Sequence, residues 1–240
     1  MEVYWLEQTE ADVPEENDWL SAGEAKRMDG LRFAKRRADW RLGRWTAKRA
    51  LAVCLNLPPH PGVLARIEIR PATSGAPEVF VTGKSELLTV SLSHRAGRAA
   101  CAVTQSSVDL GCDLEIVEPH SDAFVADYFT VEEQALAKWA PAADRPRLLA
   151  LLWSAKESAL KALHEGLRLD TRSVTVRLVE AFDLFSWSRL QVRCTDGRIF
   201  HGWWRHTDGM VRTLVADPPP DAPIRLNVPA YFPDRASRCA

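Results

Sequence analysis

Trp153-Ser154-Ala155-Lys156-Glu157-Ser158-Ala159-Leu160-Lys161 is the stretch on which the reading of this chain turns. At helical spacing, Leu148, Leu152, Ala155, Ala159 and Leu163 make an apolar stripe suited to a core. Ser154, Glu157, Lys161 and His164 recur at three and four residues and share another face. On an arbitrary helix Glu157 and Lys161 would be a solvated ion pair worth about 0.3 kcal/mol. A second stretch upstream, Gly111-Cys112-Asp113-Leu114-Glu115, gives the pair a different meaning. There Leu110, Cys112, Leu114 and Ile116 alternate onto one apolar face of a strand, and Gly111, Asp113 and Glu115 fall on the other. Two residues apart on a strand is about 6.6 Å between Cα atoms, close enough for two carboxylates to share one hard divalent cation. Without a positive partner they would repel. The plainer alternative is the polar outward face of an edge strand.

Upstream of these motifs, Glu2 to Leu6 reads as a strand and Leu31 to about Leu55 as a long helix closed by Pro58-Pro59. Ten Lys and Arg lie between Lys26 and Arg49, against only Asp29 and Asp39. Arg37, Arg41, Arg44 and Lys48 fall in one line, which reads either as a solvated face or as the holder of a ligand with several phosphates. Arg66 to Arg70, Thr89 to Ser93, Ala99 to Thr104 and Val108 to Ile116 are predicted strands, the last three in one antiparallel sheet. Ser93-His94 ends the first of those three, where a hydroxyl and an imidazole could meet a phosphate.

Downstream, Thr130-Val131-Glu132-Glu133 has the form of a capping box, and the helix of Glu157 follows, with Gly166 placed to end it. Ser173 to Val179 reads as a strand, and three later ones, Arg189 to Thr195, Ile199 to His206 and Met210 to Ala216, are joined by the turns Asp196-Gly197 and Asp208-Gly209. Strand, long helix and antiparallel strands thus occur twice. The expected class is α+β in two similar halves, residues 1–117 and 118–217, with a proline-rich, extended or disordered tail at 218–240.

Composition narrows the partners. With 240 residues, 46% hydrophobic and 26% charged, the chain has the make-up of a globular protein, and a net charge of −1 argues against a dedicated nucleic-acid binder. No apolar run is long enough to span a bilayer, so no membrane partner is expected. Cys54, Cys101, Cys112, Cys194 and Cys239 are scattered without a C-x-x-C, as expected of buried free thiols in a cytoplasmic protein.

The motifs also carry a resemblance. Gly111-Cys112-Asp113-Leu114-Glu115 resembles the G-[IVC]-D-[ILV]-E motif of 4′-phosphopantetheinyl transferases, and Trp153 to Ala162 is similar to their W-[SACT]-x-K-E-[SA]-x-x-K-[AG] signature. Ser91-Leu92-Ser93-His94 and the basic run Phe33 to Arg41 resemble two further segments of that family, and the length fits its surfactin-synthetase type, a monomeric pseudo-dimer. The resemblance implies transfer of the phosphopantetheine arm of coenzyme A to a serine of an apo acyl or peptidyl carrier protein, releasing adenosine 3′,5′-bisphosphate. It implies Mg²⁺, or alternatively Mn²⁺, on Asp113, Glu115 and Glu157, with Asp113 and Lys161 also at the pyrophosphate. Glu157, Lys161 and His94 would be catalytic, the serine proton going to Glu157 or to a metal-bound water. Lys26, Arg36, Arg41, Gly75, Pro77, Ser93 and His94 would hold the nucleotide end, Ser93 and His94 at its 3′-phosphate. Two departures stand out: Gly75-Ala76-Pro77 replaces the G-K-P of many members, and His164 stands where many have glycine. The competing readings are a Mg²⁺-dependent phosphohydrolase using the same carboxylates and a non-catalytic carrier-protein or anion-binding module.

Overall fold

Alternation along the strands produces sheets with two covered faces, and the long helices cover the outer ones. The computed structural model describes residues 1–165, 168–180, 186–229 and 231. The first half runs β1 (Tyr4–Thr9), α1 (Ala22–Asp29), α2 (Ala34–Cys54), the single turn α3 (Pro61–Leu64), β2 (Ile67–Pro71), β3 (Pro77–Val81), β4 (Lys84–Ser85), β5 (Thr89–Arg95) and β6 (Arg98–Thr104). The second runs β7 (Asp109–Ile116), α4 (Asp122–Tyr128), α5 (Val131–Trp139), α6 (Arg145–Ala162), β8 (Val174–Leu178), β9 (Ser188–Cys194), β10 (Ile199–Thr207) and β11 (Met210–Asp217), followed by the short β12 (Ile224–Arg225). The sheets have the orders β12-β1-β6-β5, β7-β11-β10-β9-β8 and β2-β3-β4. In each half the opening strand pairs antiparallel with the closing one: Thr9 faces Arg98, and Ile116 faces Met210.

Side chains on alternate faces build three cores. Leu6, Cys101 and Val103 meet Trp45 and Leu51 of α2. Val211 and Val215 meet Leu152, Ala155 and Ala159 of α6. Trp5, Ala100 and Ala102 of the first sheet meet Leu110, Cys112, Leu114 and Leu214 of the second. The order is therefore helix, sheet, sheet, helix, and each buried aliphatic or aromatic side chain contributes about 1.5–3 kcal/mol.

One polar device occurs in both halves. The Ser21 hydroxyl caps α1 while Glu24 returns to the Ser21 N–H, and Thr130 and Glu133 do the same for α5. Each glutamate also meets a fully buried lysine of the long helix: Lys48 lies 2.5 Å from Glu24, and Lys156 lies 2.8 Å from Glu133. Lys48 Nζ donates to the Trp19 and Leu64 carbonyls, and Lys156 Nζ to those of Thr171 and Val174. The remaining glutamate oxygens accept from the strand N–H groups of Ile69 and Val176. A buried charge persists only when paired and hydrogen-bonded in this way.

Several expectations are corrected. The strand Val108 to Ile116 was expected beside β5 and β6, but β7 pairs along its length with β11, so a boundary after residue 117 separates it from its own sheet. An apolar strand face can pack on either sheet, and only the long-range pairing decides. Lys48, in line with Arg37, Arg41 and Arg44 where the sequence reads either a solvated face or a phosphate holder, is instead buried. The proline-rich segment packs back on the first half: β12 pairs parallel with β1, Leu226 is buried, and Tyr231 meets Trp45 edge-on. Residues 230 and 232–240 of that segment, Gly166 and Cys239 lie outside the described residues. Cys54, Cys101, Cys112 and Cys194 are free and buried, as expected. Among the described residues, no helix is long and apolar enough to cross a membrane.

Candidate functional site

The site forms where α6 lies directly on β7. A Cβ on Gly111 would stand 1.8 Å from the Ser158 carbonyl oxygen, so only glycine permits this approach. Thr213, opposite Asp113 on β11, ties the helix down by hydroxyl contacts of 2.8 Å to Ser154 and 2.7 Å to Ser158. The face of β7 that carries Asp113 and Glu115 is thereby pressed against the face of α6 that carries Glu157 and Lys161.

Asp113 is 4% exposed. Its Oδ1 accepts from Lys161 Nζ at 2.7 Å and from the Ser93 hydroxyl at 2.8 Å. Its Oδ2 is buried with no hydrogen-bond partner. Lys161 Nζ also donates to the Cys112 carbonyl at 2.9 Å. Burial works against the Lys161 charge, but Asp113, Cys112 and Glu157 together outweigh it and the lysine pKa is raised. Burial, followed by the Asp113 charge, pushes Glu115 up to about 7, against the pull of Arg95, whose Nε lies 3.2 Å from Glu115 Oε2. Glu157 is raised too, by burial first and Asp113 second, with Lys161 opposing. Trp153, whose indole N–H eases the charge on Glu115, stands edge-on to Phe124 and Tyr128. Two cations therefore serve three carboxylates, and two of the three hold their protons more tightly than usual.

A cleft of about 570 Å³ adjoins Lys161. Arg27 and Arg44 line it from the first half with Arg70, and His164 and Arg168 line it from the second. Arg168 donates to the Ser74 carbonyl at 2.8 Å, spanning the two halves at its rim. Such a cluster of guanidiniums is suited to phosphate oxygens.

The structure brings Asp113, Glu115, Glu157 and Lys161 together, and Gly75 and Pro77 line the cleft. Other expected residues stand elsewhere. Lys26 and Arg36 are exposed and line no part of the cleft, and Arg41 donates to the carbonyls of Pro14 and Glu15. Ser93, expected at a phosphate, has its hydroxyl committed to Asp113 and to the Leu114 N–H, so it positions the carboxylate. His94, next along the strand, is exposed and lines no part of the cleft. Arg27, Arg44, Arg70, Arg95, Arg168 and the Lys156–Glu133 pair acquire their places only from the fold. Glu133 had a signal in its capping box and Lys156 in its place beside Glu157.

Among the described residues, no three His, Cys, Asp or Glu side chains form a ready-made metal cage. No curated protein matches the chain. Residues 109–210, which contain Asp113, Glu115, Glu157 and Lys161, match the model of the 4′-phosphopantetheinyl transferase superfamily, and the match supports a phosphopantetheinyl transferase role.

Proposed function

We propose that the protein transfers the 4′-phosphopantetheine arm of coenzyme A to a serine of an apo acyl or peptidyl carrier protein in a Mg²⁺-dependent reaction. The observation that carries this reading is the buried, unpartnered Oδ2 of Asp113, facing a site with more carboxylates than cations and opening beside an arginine-lined cleft. An orphaned buried carboxylate oxygen asks for a cation. Asp113, Glu115 and Glu157 would hold Mg²⁺, which when bound neutralises charge on the phosphoryl oxygens.

The chain's own groups supply the rest. Arg27, Arg44, Arg70 and Arg168 hold the nucleotide phosphates, and Arg168 supplies the positive charge that Ala76 cannot. Lys161 reaches the pyrophosphate from its seat on Asp113. Glu157, with its raised pKa, accepts the proton of the carrier serine. The serine oxygen bonds to the phosphorus that bears the pantetheine arm. The bond from that phosphorus to the bridging oxygen breaks, and adenosine 3′,5′-bisphosphate leaves. The repeated order of elements and the twice-used lysine–glutamate device support a duplicated, monomeric, surfactin-synthetase-type plan. A cytoplasmic setting accords with four buried free thiols.

The test incubates the protein with coenzyme A, Mg²⁺ and an apo carrier protein and weighs the carrier. The expected result is a mass increase of one phosphopantetheine group, lost with EDTA or in Glu157→Ala. Hydrolysis of coenzyme A without any carrier product would favour a phosphohydrolase. No reaction across several carrier classes would leave only a binding module.

A further inference from the structure

A second cavity, of about 420 Å³, lies among β1, β6 and the β10–β11 turn, lined by residues that take no part in the site above. Its place in the fold follows from register. Thr9 faces the residue after the Gly97 turn, and Ile116 faces the residue after the Gly209 turn. Counting back from these marks, Gln8 takes the place of Glu115 and Leu6 that of Asp113. The buried lysines align the long helices in the same way, so Arg49 follows Lys48 where Glu157 follows Lys156. On the strands before the two turns, His94 faces Ala99 and His206 faces Val211, which puts Arg205 at the place of Ser93. The counterpart of the carboxylate site has thus lost every carboxylate and gained guanidiniums.

The charges in this cavity are unevenly matched. Glu7 is shared by Arg212, at 2.6 and 2.8 Å, and Arg98, at 3.2 Å. Asp12 accepts from the Thr9 N–H and hydroxyl, and Asp208 sits at the turn. Arg205 and Arg225 line the cavity without an ion pair among the described residues. Arg205 Nε is a buried donor without a partner, and the uncharged Gln8 side chain, 8% exposed, lines the cavity beside it. Buried polar groups left this way cost stability unless something else meets them.

We propose that this cavity binds a small phosphate-type oxyanion, free or as a monoester, held by Arg205 and Arg225 with the Gln8 amide beneath it. Trp187, which lines the cavity edge-on to Trp5, provides the reporter. Inorganic phosphate and ribose 5-phosphate are titrated separately into the full-length, ¹⁵N-labelled protein. The Trp187 indole resonance, assigned with Trp187→Phe, is followed. A saturable shift is expected, and the tighter of the two probes identifies the source of the phosphate. Arg205→Ala should weaken binding about tenfold, the loss expected for one charge-assisted contact. Gln8→Glu should abolish it by placing a carboxylate beneath the anion. Arg225→Ala, at an exposed position, should weaken it even if Gln8→Glu fails to fold. Arg44→Ala, in the other cleft, should leave the Trp187 response unchanged. No saturable shift with either probe, or wild-type affinity in Arg205→Ala, would overturn the proposal.

Discussion

Replacing Glu115 with glutamine removes one of the two carboxylates whose ionisation the folded protein resists. With metal chelated, burial and Asp113 hold Glu115 at about 7, while in the unfolded chain it returns to its ordinary 4.5. The folded state therefore binds this proton more tightly than the unfolded state. The stability that the group contributes is complete below about pH 4.5 and is lost as the pH rises through about 7. At about 1.4 kcal/mol per pH unit, the gap between 4.5 and about 7 corresponds to about 3 kcal/mol, an upper figure for a group this well buried. Glu157 shifts in the same direction and Glu7 in the opposite one, but both remain in the variant, so comparison with Glu115→Gln isolates the one group. Urea unfolding in EDTA would be measured at intervals from about pH 5 to about pH 8. Across that range the variant should gain on the wild type by up to about 3 kcal/mol. Added Mg²⁺ at the alkaline end should narrow the gap by stabilising the wild type. Parallel stability curves, or a wild type that gains on the variant as the pH rises, would refute the charge assignment.

Gly111→Ala forces a Cβ against the Ser158 carbonyl, so β7 and α6 must separate, and a loss of about 3 kcal/mol in the urea midpoint analysis is expected along with lost transfer. Wild-type stability would refute the close approach. Lys156→Met strands Glu133 in the core and should cost about 3–5 kcal/mol, part of which Lys156→Met/Glu133→Leu recovers; a double-mutant cycle reads the coupling. Arg168→Ala should raise KM for coenzyme A about tenfold with little change in kcat, whereas Lys26→Ala should leave both alone in the same steady-state assay.

The features legible in the sequence are those with a local period. Alternation put Asp113 and Glu115 on one face of β7, and helical spacing put Glu157 and Lys161 on one face of α6. Turn chemistry located Asp196-Gly197 and Asp208-Gly209, and the capping rule located Thr130 and Glu133. Long-range choices were not legible. Nothing local says that β7 pairs with β11. A line of cations at Arg37, Arg41, Arg44 and Lys48 does not reveal that one end of the helix is in solvent and the other in the core. One residue along a helix turns the side chain by about 100°. Lys26 and Arg27 therefore point to different faces and only Arg27 lines the cleft, whereas Arg41 shares its line with Arg44 and is drawn away by the carbonyls of Pro14 and Glu15. Arg70 and Arg168 leave a strand end and a loop, where no period marks them. The segment after Asp217 lacks a pattern because its order comes from a partner strand distant in sequence, Tyr4 and Trp5 of β1.

The two halves separate scaffold from chemistry. Lys48–Glu24 and Lys156–Glu133 share partners of the same kind: a capping box, two backbone carbonyls and a strand N–H. Because the first half keeps this device beside Arg49, Leu6 and Gln8, the lysine–glutamate pair has no need of carboxylates nearby. Its work is to lock a long helix onto its sheet. In the second half the same lock fixes the register of α6, and with it the distance from Glu157 and Lys161 to Asp113. Lys156 is therefore expected to act on the proposed reaction through position alone. In Lys156→Met/Glu133→Leu, activity should return in step with stability. A double variant that regained its fold but not its transfer would assign Lys156 a part in the chemistry itself.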